Sequence, residues 1–264
     1  MQTGFAPAKV NLTLHVVGRR TDGYHLLDSV VMFADVGDWL TVGPGDDLTV
    51  TGPFAQGVPT DGGNLIRRAL SLARARRAVT LDKRLPHPAG MGGGSSDAAC
   101  ALRMVDHDLT PQQVLTLGAD LPVCLLGQAA RMQGIGDRVT PLALPMLHGV
   151  LINPSVAVPT GPVFQALTQV DGPGHGDALP DFADGAALTE WLRAQRNDLE
   201  PAARAIAPAI DDVLSALRQA GASLARMSGS GATCFGLWPT RIAAERAAET
   251  LARPGWWVQA ASFN

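Results

Sequence analysis

The chain has 264 residues, 46% hydrophobic and 17% charged, with a formal net charge of −3. That length allows one large or two modest domains, the composition is that of a folded protein, and the charge excludes the basic footprint of a nucleic-acid or anionic-membrane binder. No run approaches 18 apolar residues and Met1-Gln2-Thr3-Gly4 opens no charged leader, so neither a membrane span nor a signal peptide is expected, and the expected location is cytoplasmic.

In chain order, residues 5–17 alternate in part and read as one or two strands, closed by a turn at 19–23. Further strands are expected at 26–36 and 39–51, broken at Gly37-Asp38 and at Gly43-Pro44-Gly45. Residues 64–77 form an amphipathic helix pattern, with Leu65, Ala69, Leu72 and Ala73 on one face. A strand at 78–85 leads to Pro88-Ala89-Gly90-Met91-Gly92-Gly93-Gly94-Ser95-Ser96, and a helix follows at 97–105. Thr110-Pro111 caps a short helix to residue 117. Strands are expected at 129–136, 139–142 and 148–153, and a loop at 154–162. The Gly-, Pro- and Asp-rich stretch 172–184 reads as a mobile surface loop. Helices at 187–196 and 201–220, a strand at 224–227, a glycine turn, a strand at 234–237, a helix at 240–252 and a strand at 256–263 complete an α+β pattern, a sheet covered on one face by helices. A domain boundary is placed near residue 150.

The glycine stretch carries the clearest chemistry. Glycines let the backbone turn and approach a ligand closely, and the first turn of the helix behind them offers free N–H groups and a positive dipole end, a phosphate cradle. It is not of the Walker type, since no G-x-x-x-x-G-K-[ST] occurs. The chain has 19 arginines and only two lysines, Lys9 and Lys83. Where arginine supplies every generic positive charge, a retained lysine marks a place a guanidinium does not fit. The single tyrosine, Tyr24, draws the same attention more weakly. Cys100, Cys124 and Cys234 lie apart in apolar surroundings and read as reduced, buried thiols. Lys9 and Asn11 interrupt an apolar strand. Asp120 stands between a helix end and an apolar, strand-like run. Residues 227–233, Met-Ser-Gly-Ser-Gly-Ala-Thr, form a second small-residue turn; a hairpin without a ligand is the bland alternative there.

Together these segments resemble the GHMP kinase superfamily, whose three motifs are an N-terminal lysine segment, a P-x-x-x-G-x-G-S-S-type loop and a C-terminal glycine turn. They correspond here to Ala6-Pro7-Ala8-Lys9-Val10-Asn11-Leu12, to 88–99 and to 228–233. Arg20-Thr21-Asp22-Gly23-Tyr24-His25, Asn64-Leu65-Ile66, Lys83-Arg84-Leu85-Pro86, Gly118-Ala119-Asp120-Leu121-Pro122-Val123, Pro159-Thr160 with Phe164, and Arg196-Asn197-Asp198-Leu199-Glu200 run in family order. They are similar to the branch whose acceptor is a methylerythritol carrying a cytidine diphosphate. The resemblance implies a two-domain α+β kinase, with a ribosomal-S5-like half (1–150) and a ferredoxin-like half (151–264), using ATP and Mg²⁺ on small-molecule substrates. It implies Asp120 as catalytic base with Lys9 beside it. Asn64, Lys83 and the loop residues Pro88, Ala89, Gly90, Met91, Gly92, Gly93, Gly94, Ser95 and Ser96 would bind ATP. Asn11, Thr160, Gly229 and Ser230 would face the acceptor, Tyr24 and Phe164 would sandwich cytosine, and His25 would bond its edge. No acidic residue is evident as a metal ligand; Ser96 is a candidate only, and the metal is expected to arrive mainly on ATP. The alternatives are a homoserine- or mevalonate-type GHMP kinase, disfavoured by an aromatic pair suited to a flat base, and a non-catalytic ATP sensor, disfavoured by the joint presence of Lys9 and Asp120.

Overall fold

The computed structural model describes residues 1–264. Two strands, β1 (Gln2–Asn11) and β2 (His15–Arg19), pair antiparallel with β3 (His25–Gly43). β3 runs unbroken through Gly37-Asp38, where the sequence suggests a turn. The aspartate is satisfied by buried donors, described below. At Gly37 β1 approaches so closely, across an irregularity between Pro7 and Lys9, that a Cβ would run into the Ala6 carbonyl. β4 (Leu48–Thr51) follows.

Helix α1 (Leu65–Leu72) is capped by Asn64, whose Oδ1 accepts from the Ile66 N–H at 2.9 Å. It ends sooner than the amphipathic pattern does, because Arg74 turns to φ 54° and the Ala75 N–H bonds back to the Leu70 carbonyl. β5 (Ala78–Asp82) pairs with β3 and β4. α2 (Gly93–Arg103) begins inside the glycine run, four residues before its expected start. α3 (Pro111–Leu115) carries a full Thr110–Gln113 capping box. The apolar run after Asp120 is not a strand but helix α4 (Leu121–Leu126), with Pro122 in its first turn. A six-residue apolar run fits either state by periodicity alone, and the proline decides for the helix start. β6 (Ala130–Gly134) and β7 (Arg138–Pro141) finish the first half.

The second half comprises β8 (Leu147–Asn153), α5 (Thr160–Gln165), α6 (Gly185–Arg193), α7 (Glu200–Ile206), α8 (Ala209–Gln219), β9 (Leu224–Met227), β10 (Cys234–Trp238), α9 (Arg241–Leu251) and β11 (Trp257–Phe263). α5 starts within the expected 154–162 loop. The expected 201–220 helix is two, divided at Ala207-Pro208, because proline lacks the N–H that a continuous helix needs.

The strands form a sheet in the order β4-β5-β3-β11-β8-β10-β9, with β1, β2 and β6 also on β3; the two halves meet at the Phe263–Ala34 pairing. On one face of the first half, small residues of α2 (Ala99, Ala101) let the helix sit close against β1 and β3, and Ile66 and Leu70 of α1 pack beside it. The other face of β1 and β3 does not meet solvent. Val10, Leu12, Val30 and Met32 share a core with Leu188 and Leu192 of α6, Phe235 of β10 and Phe263 of β11. Each fully buried leucine or phenylalanine there contributes roughly 1.5–3 kcal/mol relative to exposure, so the halves are joined by core rather than by a hinge linker. α8 closes the far side with Ile210, Val213, Leu214 and Leu217.

Candidate active site

The end of β1, the start of α2, the start of α4 and the β9–β10 turn converge on one point. Lys9 is 3% exposed. Its main-chain N–H bonds the Met91 carbonyl at 3.0 Å, and its Nζ donates to Asn11 Oδ1 and to Asp120 Oδ1, both at 2.8 Å. The pair is half-sheltered, since the Asp120 side chain keeps 31% of its surface. Asp120 holds the N-cap position of α4 yet makes no capping bond, so its carboxylate is free for the ammonium.

Gly92, at φ 60°, ends the glycine loop directly on this pair. A Cβ there would lie 3.3 Å from both Asp120 Oδ2 and Lys9 Cε. The Ser96 N–H bonds the Gly92 carbonyl at 2.8 Å, while the N–H groups of the first turn ahead of it have no intrahelical acceptor. Around Gly94 there is open space, with nothing within 4 Å of a built Cβ. The glycine run thus opens onto a helix start whose N–H groups are free, and an ammonium and a carboxylate stand at its mouth.

The C-terminal turn braces the loop. The Ser228 hydroxyl accepts from the Asn11 N–H and donates to the Gly90 carbonyl, each at 3.1 Å. Gly90 (φ 68°) and Gly229 (φ 56°) touch backbone to backbone: a Cβ on Gly90 would meet the Ser228 carbonyl at 2.6 Å, and one on Gly229 the Gly90 carbonyl at 2.7 Å. Asn197 holds the turn from behind, its Nδ2 donating to the carbonyls of Met227 and Gly229 at 2.8 and 2.9 Å. Glu200 accepts from the Met227 N–H at 2.9 Å. Arg226 donates to the carbonyls of Leu12, Leu192 and Gln195. Burial lowers its guanidinium to about 10.

Lys83 does not present a free ammonium. It is buried between Asp38 Oδ2 at 2.5 Å and Asp97 Oδ2 at 2.7 Å, directly under Gly93. Asp38 Oδ1 also accepts the main-chain N–H groups of Arg84 and Leu85. Burial pushes the Asp97 carboxyl up to about 7; the Lys83 ammonium opposes the rise and the Asp38 carboxylate adds to it. Burial works to lower Lys83, but the two acids outweigh it and the net shift is upward. Asn64 likewise has both ends engaged, capping α1 and donating to the Pro59 carbonyl at 2.7 Å. The Ser96 hydroxyl and Asp97 Oδ1 are buried without a hydrogen-bond partner.

Phe164 of α5 and His25 of β3 stack, with ring centroids 5.1 Å apart and planes at 27°. They line a 340 Å³ cavity with Arg19, Gly23, Gly161 and Gln165. Burial, then the nearby Arg19, lowers the His25 imidazole. The ring facing Phe164 is His25, while Tyr24 is 62% exposed. Thr160, at the start of α5, bonds Ser230 Oγ at 2.8 Å, tying this slot to the glycine turn.

The 172–184 segment is irregular but pinned, contrary to the mobile loop read from composition. The Asp28–Arg131 pair, bidentate at 2.7–2.8 Å, accepts the His175 N–H on its carboxylate and donates from its guanidinium to the carbonyls of Gly176 and Asp177. Burial pushes Asp28 up, yet the Arg131 bonds, the His175 main-chain N–H and the two neighbouring positive charges together outweigh it and the net shift is downward. The His175 ring lies against that of His15, centroids 4.1 Å apart and tilted by 38°, and bonds Thr13 Oγ1 at 2.8 Å.

Sequence reasoning assigned Asp38 and Asp97 no role at the site. The signal for the two acids was present: two lysines in apolar surroundings each need a carboxylate, and an aspartate inside Val36-Gly37-Asp38-Trp39-Leu40 is one.

The family described as GHMP kinases N terminal domain matches residues 64–138, and that described as GHMP kinases C terminal matches 178–255. A protein of Dinoroseobacter shibae named 4-diphosphocytidyl-2-C-methyl-D-erythritol kinase is 55% identical over 97% of this chain and 92% of its own length. One of the same name from Paracoccus denitrificans is 52% identical over 98% and 95%. A crystal structure of 4-(cytidine 5'-diphospho)-2C-methyl-D-erythritol kinase superposes with a TM-score of 0.78 at 36% identity, over 100% of this chain and 99% of that one. A mevalonate kinase structure (TM-score 0.63, 10% identity, 100% and 99% covered) shares the fold.

Proposed function

The chain belongs to the 4-diphosphocytidyl-2-C-methyl-D-erythritol kinase family of GHMP kinases, and on that premise we propose that it moves the terminal phosphate of ATP to the 2-hydroxyl of 4-diphosphocytidyl-2-C-methyl-D-erythritol. The products are the 2-phosphate and ADP, on the non-mevalonate route to isoprenoid precursors. The observation that carries the reading is the Lys9–Asp120 pair set against Gly92 at the mouth of an open helix start.

Phosphoryl transfer needs positioning and charge stabilisation more than covalent help. Asp120 accepts the proton of the attacking hydroxyl, a contribution of roughly 10²–10⁴-fold. Lys9 orients that carboxylate, and with two of its three protons given to Asn11 and Asp120 it keeps one for the transferring phosphate. The loop from Pro88 through Ala89, Gly90, Met91, Gly92, Gly93 and Gly94 to Ser95 and Ser96 receives the triphosphate. Asn64 and Lys83 shape the adenosine end rather than offering free donors to it. Asn11, Thr160, Gly229 and Ser230 border the acceptor. Cytosine enters the slot that Phe164 and His25 line as stacked faces, with the exposed Tyr24 at its rim in place of the Tyr24–Phe164 sandwich the resemblance implies. No group of three or more His, Cys, Asp or Glu side chains is placed to hold a metal ion. Mg²⁺ would come on the ATP phosphates, and the Ser96 hydroxyl, buried and unpartnered here, is the chain's candidate to reach it. Residues 1–150 form the nucleotide half and 151–264 the closing half, with β8 straddling the seam. The partners are small molecules, and no helix is long and apolar enough to cross a membrane. We read the enzyme as cytoplasmic.

The test is coupled ADP release from Mg²⁺-ATP with 4-diphosphocytidyl-2-C-methyl-D-erythritol, homoserine and mevalonate as acceptors. Turnover with the cytidine compound alone is expected. ATP binding without turnover on any acceptor would favour a sensor and remove the catalytic roles of Lys9 and Asp120.

A further inference from the structure

Leu12 and Thr13 lie in neither β1 nor β2. Both N–H groups donate to the Val30 carbonyl, at 2.8 and 3.3 Å, and the Val30 N–H donates to Thr13 Oγ1 at 2.9 Å. The kink is thereby fixed, and it brings the Thr13 carbonyl over β3. Ser29 Oγ gives its proton to that carbonyl at 2.5 Å. A carbonyl oxygen only accepts, and a serine has one proton, so toward every other neighbour the Ser29 oxygen is an acceptor.

The other neighbour is the Asn11 side chain at 2.8 Å. Asn11 pairs with Val31 across the β1–β3 ladder, and Ser29, two residues earlier, shares that face. The Ser29 oxygen, an acceptor, and the Lys9 ammonium, a donor, therefore agree on which way the Asn11 amide points. The NH₂ faces Ser29, and Oδ1 faces the Lys9 ammonium at 2.8 Å. The opposite orientation would set NH₂ against the ammonium and a carbonyl against an oxygen with no proton left. Ser29 and Asn11 are 0% and 1% exposed, so no water can relieve either mismatch.

We propose that Ser29 is a positioning residue for phosphoryl transfer: it fixes the Asn11 amide, which holds the Lys9 ammonium in line with Asp120. Fully buried, Ser29 touches neither substrate. The inference rests on the Lys9–Asp120 reading above.

The test is steady-state ADP release with melting curves for Ser29→Ala, Asn11→Ala, their double variant, Ser29→Thr and Ser29→Val. Ser29→Ala should lower kcat roughly tenfold with KM for ATP within about twofold, and the double variant should be no worse than Asn11→Ala by more than about twofold, because Ser29 acts through Asn11. Thr and Val have nearly the same shape and differ in the hydroxyl, so Ser29→Thr should outperform Ser29→Val by roughly fivefold or more. That comparison decides even if the alanine variant folds poorly. Multiplicative losses in the double variant, or equal rates for Thr and Val, would overturn the proposal. Asp120→Asn in the same assay reports separately on the underlying reading: a full rate there removes the base, whatever Ser29 does.

Discussion

The main-chain N–H of Asn11 donates to the hydroxyl of Ser228, 217 residues away in sequence, at 3.1 Å. The same hydroxyl donates onward to the Gly90 carbonyl. One serine thus connects the lysine strand, the glycine loop and the C-terminal turn.

Replacing Ser228 with alanine leaves a buried N–H and a carbonyl without partners, at a cost of about 1–3 kcal/mol. For a chain of this size that is a Tm fall of roughly 2–10 °C. KM for ATP should rise with it, since the loop loses its brace. Calorimetry with ATP titration checks both; an unchanged KM would mean that the loop holds its shape without the serine.

Asp120→Asn keeps the shape and removes the proton acceptor, so kcat should fall by roughly 10²–10⁴ with little change in either KM. A loss under tenfold would assign Asp120 to positioning alone. Lys9→Arg should also be strongly impaired despite its charge, because a guanidinium is broader than the gap between Asn11 and Asp120, each 2.8 Å from Nζ.

Phe164→Ala opens the slot it shares with His25. KM for the cytidine substrate should rise roughly tenfold or more while that for ATP stays within about twofold. Parallel rises in the two constants would place the base elsewhere.

Asp38→Ala strips the buried Lys83 of one carboxylate and two main-chain N–H groups of their acceptor. Breaking such a pair from one side costs about 3–5 kcal/mol. Chemical denaturation should show that loss, and Asp38→Asn, which retains acceptor oxygen, should lose less.

Acid should weaken the fold through His15. Burial, then the adjacent His175, lowers its imidazole from 6.5 to about 4. Between those values the unfolded chain binds a proton that the native chain refuses. Stability is therefore full above about pH 6.5 and declines toward pH 4, by up to about 3 kcal/mol. His175 is lowered as well, chiefly by burial, and acts in the same direction. Melting temperatures from pH 7.5 to 4.5 should fall, and fall less steeply in His15→Gln. Parallel curves would assign the acid sensitivity to other groups.

Much of the site was legible because its chemistry needs particular residue types. Lys9, Asn11, the glycine run, Asp120 and the 228–233 turn stand out as polar or flexible residues in apolar strings, and the structure gathers them at one point. What was not legible depends on partners distant in sequence. Asp38 looks like a turn residue until Lys83 is found 45 positions on. Asp120 precedes a run too short for its period to distinguish helix from strand. The 172–184 segment has the composition of a free loop, and only the Asp28–Arg131 pair, drawn from two other strands, ties it down.

The contact between Gly90 and Gly229 is made by main chain on both sides. Such a seam carries no side-chain code that two partners must keep in step. Sequence around the seam can change without altering this contact, provided that neither glycine acquires a Cβ; keeping step between the halves is left to Ser228 and the shared core.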